Sequence, residues 1–163
     1  MTHKEIHEYL ISLGNPKISL QSKSYFKTGP GDYGEGDVFL GIRMPVIRDT
    51  LKQFKQANLD TAQALVKSPY HEIRLFALLL MVALFKKAKG KDQADIFKLY
   101  LANTQYINNW DLVDSSAHYI VGQYLLNEDL KDKALFKYGE GVLYKLVYSD
   151  SLWERRIAVL ATF

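Results

Sequence analysis

Trp110 and Asp114 stand four residues apart in the segment NNWDLVD, so a helix there puts an indole and a carboxylate on one face. Asp111 shares the first turn, which Asn108 or Asn109 is placed to cap. Further along, SLWERRIA carries Trp153, Arg155 and Arg156. A tryptophan, a carboxylate and an arginine gathered on one surface suit an anionic ligand with a flat or cationic part. Arginine takes phosphate, and an indole face takes a cation. The same residues also have plainer uses, because acids favour helix N-termini and tryptophans fill cores.

Other chemistries find less support. The chain has no Cys, which removes disulfides, thiol nucleophiles and Cys-based metal sites. His3 and His7 share a helix face beside Glu8 but lack a third ligand at a defined spacing, so they read as surface groups and no metal is expected. His71 and His118 are isolated in the sequence. Lys86, Lys87, Lys89 and Lys91 make a basic cluster at a helix junction, which reads first as a solvated face and second as a DNA contact. Gly29, Gly31 and Gly34 spell G-x-G-x-x-G, but a helix precedes them and more glycine-rich chain comes after. A dinucleotide site needs a strand before and a helix directly after, so the segment is read as a connecting loop.

The elements that must position these residues are helical throughout. The chain has 163 residues, 48% of them hydrophobic, and a net charge of +3. That supports a folded core and excludes global disorder. Helical periodicity runs through 2–13, 20–26, 44–54, 59–66, 70–87, 91–104, 109–126, 131–138, 141–148 and from 152 to the end. Gly14-Asn15-Pro16 reads as the stop of the first helix. The longest apolar run, Leu75 to Phe85, is far short of the roughly 20 residues of a membrane span. No signal peptide is visible, and a cytoplasmic location is expected. Ala77, Ala117 and Ala158 recur 40 and 41 residues apart. That matches the roughly 40 to 47 residue period of HEAT and armadillo repeats. The expected fold is all-α: one α-solenoid domain of HEAT-like repeats over 1–163. N-terminal helices occupy 1–26, a Gly-rich loop 27–41 and repeats 44–163. Arg74, Asp114 and Arg155 take equivalent places on successive second helices, which line the concave face.

Three segments carry a family resemblance: YFKTGPGDYGEGDVFLGIRMPVIR (Tyr25 to Arg48), NNWDLVD (Asn108 to Asp114) and SDSLWERRIA (Ser149 to Ala158). With these the chain resembles DNA alkylation repair glycosylases of the AlkD type, a HEAT-like-repeat family, along its whole length. The resemblance implies excision of cationic alkylated purines, such as 3-methyladenine and 7-methylguanine, from double-stranded DNA. It implies no cofactor and no flipping of the base. It assigns Asp114 to stabilising the oxocarbenium-like sugar and positioning water, Trp110 to the sugar and cation, and Arg156 to a phosphate. Arg155, Arg43 and Arg48 are expected phosphate contacts, although Arg43 and Arg48 equally suit an ordinary solvated surface, and Arg155 and Arg74 pairing within the solenoid. Tyr25 aligns with an aromatic that approaches DNA in the family, while its setting favours core packing. The alternative function is a non-catalytic HEAT-like module that binds DNA or protein. Relative to the family the chain lacks C-terminal repeats, so weak activity or none is expected of it alone. The apolar end, Ile157, Val159, Leu160 and Phe163, predicts self-association.

Overall fold

A computed structural model describes residues 2–129 and 141–163. The helix expected over 131–138 lies outside the described residues. The described residues are helical, with one isolated parallel bridge, Val38 to Tyr70, and no strand. No helix among them is long and apolar enough to cross a membrane. They form two compact units, Met1–Leu84 and Phe85–Phe163.

The first unit begins with α1 (His3–Ser12), started by a capping box in which the Thr2 hydroxyl accepts from Glu5 N–H and the Glu5 carboxylate accepts from Thr2 N–H. It buries Ile6 and Leu10 and packs on α4. The second helix, α2 (Pro16–Tyr25), starts four residues before the expected Leu20. The reason is local. The Asn15 side chain accepts from Lys17 and Ile18 N–H, and Pro16 supplies a preset first-turn φ. Gly14-Asn15-Pro16 thus stops one helix and starts the next. α3 (Met44–Gln53) buries Ile47 and Thr50, and α4 (Leu59–Leu65) is capped by the Asn58 side chain. α5 (His71–Lys87) is apolar all round along 75–85 and is buried on nearly every face up to Val82, as such a helix must be.

The Gly-rich loop is fastened at its exit. Glu72, 3% exposed, accepts from the N–H groups of Leu40, Gly41 and Ile42 at 2.7 to 3.1 Å. Gly41 sits at φ +82°, and a side chain there would strike the Asn15 carbonyl. Ser19 Oγ donates to the Phe39 carbonyl, and Asn15 N–H donates to Leu40.

The second unit holds the end of α5, then α6 (Lys91–Leu101), a 3-10 turn (Thr104–Tyr106), α7 (Trp110–Asp114), a π turn (His118–Gly122), α8 (Gln123–Asp129), α9 (Val142–Val147) and α10 (Leu152–Leu160). The single helix expected over 109–126 is therefore interrupted. Ser116 explains the break: its N–H bonds Val113, and its Oγ donates back to the Leu112 carbonyl at 2.6 Å. Serine back-bonding of this kind competes with the regular ladder and bends helices. α10 packs against α7, α9 and the π turn. At Gly122 the approach is so close that a Cβ would lie 2.6 Å from the Ala161 carbonyl oxygen. Of the residues read as an apolar end, Ile157 is fully buried instead, whereas Val159 and Phe163 are exposed.

Candidate functional site

Asn109, fully buried, starts α7 by accepting from Trp110 N–H at 2.9 Å. One turn later α7 delivers the Asp114 carboxylate. Ser151 starts α10, accepting from Glu154 N–H, and Arg156 lies further along that helix. Thr104 Oγ1 donates to Glu154 at 2.6 Å, which ties the first turn of α10 to the 3-10 turn ahead of α7. Those supports bring Asp114 and Arg156 together. Nε of Arg156 donates to one carboxylate oxygen and Nη2 to the other, both at 2.7 Å. The pair is only partly covered: the Arg156 and Asp114 side chains are 39% and 35% exposed. The hydrogen bond to Asp114 raises the Arg156 pKa above its ordinary value. Below lies the fully buried Tyr100, whose hydroxyl meets Ser116 Oγ at 3.0 Å. Burial pushes the Tyr100 phenol pKa up, and the Asp114 charge adds to this.

The other expected residues are spread over both units. Trp110 and Trp153 are half-buried, and Asp111 turns its carboxylate onto Leu112 N–H at 2.8 Å. Arg155 is turned inward: Nη1 donates to the carbonyls of Ser149 and Asp150 at 2.7 and 3.0 Å. Arg74 does the same to Ser68 and Pro69 at 3.0 and 3.1 Å. Two residues matched by the repeat register thus staple the loop ahead of their own helix in the same way. In the first unit Arg43 and Arg48 are exposed. Tyr25 is 65% exposed, with its ring edge-on to Phe26, so it is not a core residue. His7 is half-buried, with Nε2 3.4 Å from Ser68 Oγ, so it is not a plain surface group.

Two groupings escaped sequence reasoning. His71 is not isolated: its Nδ1 lies 2.7 Å from Asp37, whose other oxygen takes Arg74 at 2.6 Å. Phe39 stacks on the imidazole with ring centroids 4.4 Å apart. The Asp37 and His71 side chains are each 1% exposed. Burial alone would raise the Asp37 pKa, but the hydrogen bond and charge of His71, joined by Arg74, outweigh it and hold it below 3.8. The loop aspartate gave no signal, being one acid among several in a turn-rich stretch. The second grouping surrounds His118. Its ring lies 3.7 Å from that of Tyr119, and the Lys86 ammonium stands 4.7 Å over the Tyr119 ring. Among the described residues no group of His, Asp or Glu is arranged to hold a metal ion.

Compared with known families, residues 6–163 match the model described as DNA alkylation repair enzyme. No curated protein and no solved structure matches the chain.

Proposed function

The chain belongs to the DNA alkylation repair enzyme family, and from that premise we propose a DNA glycosylase that removes cationic alkylated purines from duplex DNA, working at Asp114. The observation that carries the proposal is the forked Asp114–Arg156 pair, half open to solvent, with Trp110 one turn before it. A cationic purine such as 3-methyladenine or 7-methylguanine is a good leaving group. Its bond to C1′ breaks with the electron pair passing to the purine, which cancels the ring's charge. Positive charge then develops on the sugar, where a fixed carboxylate and an indole face stabilise it. A water oxygen adds to C1′ and loses its proton to the Asp114 carboxylate. Arg156 holds that carboxylate in one orientation through Nε and Nη2, while its Nη1 group, which has no hydrogen bond among the described residues, is suited to a backbone phosphate. The matching inward staples of Arg74 in the first unit and Arg155 in the second support reading each unit as built from HEAT-like helical repeats.

The same pair supports a second reading. A carboxylate already held on both oxygens can serve as a strut between α7 and α10, and the chain is then a helical DNA-binding module without catalysis. Release of 7-methylguanine from duplex DNA separates the two. Under the enzymatic reading Asp114→Asn lowers the rate by at least ~100-fold. Release no faster than from the DNA alone leaves the binding-module reading standing, and equal release by wild type and variant overturns the role given to Asp114.

A further inference from the structure

We propose that the α5–α6 junction holds a second site, one that takes a nucleotide whose base is not paired. The proposal rests on DNA being the partner, and on nothing about Asp114. A cavity of about 410 Å³ opens there, lined by Phe85, Lys86, Gln93, His118, Tyr119, Gln123 and Asn127. That volume lies in the range of small-ligand sites. The chemistry of the lining is specific in kind. His118 and Tyr119 present two rings in contact, which form an aromatic surface for a base. The Lys86 ammonium rests above the Tyr119 ring, where it is attracted by the π face and lies close to any phosphate brought to that ring. Gln93, Gln123 and Asn127 offer amides for a base edge, and Gln93 is oriented by its bond to the Phe85 carbonyl at 3.4 Å.

Two independent features point to the same place. The π turn His118–Gly122 is a costly irregularity that sets His118 and Tyr119 side by side at the cavity, and such turns are frequent at functional sites. Lys87, Lys89 and Lys91 are exposed around the same junction, giving the cationic surroundings that a nucleic-acid strand needs. Among the described residues no carboxylate lines the cavity; Asp92, exposed on the first turn of α6, is the acid nearest to Gln93 in sequence.

The test is fluorescence anisotropy of a labelled short oligothymidylate with the full chain. Wild type should bind, and Lys86→Met and Tyr119→Leu should each weaken binding by at least ~5-fold. Lys86→Met should also make the salt dependence shallower by about one unit of log–log slope. Lys86 is exposed, so that variant carries the test if Tyr119→Leu fails to fold. Free thymidine monophosphate as competitor distinguishes the source of the ligand. Displacement assigns the site to a mononucleotide and its absence assigns it to a strand; both support the site. No binding by wild type, unchanged binding by both variants, or equal displacement by polyglutamate would overturn it. The readout is binding of an undamaged single strand, not release of 7-methylguanine, so failure here is distinguishable from failure of the glycosylase reading.

Discussion

Arg156 decides how much of the candidate site survives without a ligand. It touches both oxygens of Asp114, so its loss frees the carboxylate to swing out of position. Arg156→Gln is expected to slow release of 7-methylguanine by ~10-fold or more, and urea unfolding should show a loss of only about 1 kcal/mol, because the pair is partly exposed. A strut without catalytic work would lose the stability and show no activity to lose. Asp37 is the opposite case. It is buried against a guanidinium and an imidazole, and neutralising it takes the carboxylate charge from the buried Arg74, which keeps its bonds to the Ser68 and Pro69 carbonyls. Asp37→Asn should cost about 3 to 5 kcal/mol in urea unfolding. The first pair was legible in part: the W-x-x-x-D spacing is visible in the string, but the repeat register pointed to Arg155, and the family resemblance picked out Arg156 instead. Residue types could not announce Asp37, because its importance comes from a loop that returns to α5, and no local period records that return.

At the scale of elements, helix periodicity located α1, α3, α4, α5, α6 and α10 to within a few residues, since each has an apolar face or a side-chain cap written in its own sequence. It failed inside 109–126, where the apolar pattern continues through a real break. Ser116 was legible only as a polar residue in a helix, yet its hydroxyl bonds both the Leu112 carbonyl and the Tyr100 phenol. Ser116→Ala leaves that fully buried phenol without its partner and should destabilise the chain by about 1 to 2 kcal/mol, read as a lower thermal midpoint. The break has a further effect: it lets Gly122 meet Ala161 without any side chain between them. Gly122→Ala forces the π turn and the end of α10 apart, and about 1 to 3 kcal/mol of destabilisation is expected in the same measurement.

For the whole molecule, acid is the informative perturbation. The folded pKa of Asp37 lies below 3.8, so the unfolded chain takes up its proton first as pH falls. Its contribution to stability is therefore complete above about pH 5 and is lost as pH drops through 3.8 toward the folded value. Urea midpoints measured from pH 6 down to pH 3 should fall more steeply for wild type than for Asp37→Asn. The net charge of +3 is too small to predict a DNA partner from the sequence alone, and the family match supplies what that number could not. The Gly-rich loop is the part whose composition misleads most, since glycine content suggests one uniformly loose span. Glu72 instead divides it in two. Amide protons at Leu40, Gly41 and Ile42 should exchange with deuterated solvent as slowly as those of α5, whereas those of 29–36 should exchange early. A protease probing the native chain would then cut ahead of Asp37 and spare the stretch from Leu40 to Ile42, leaving a nicked protein whose two fragments stay together until denaturant separates them.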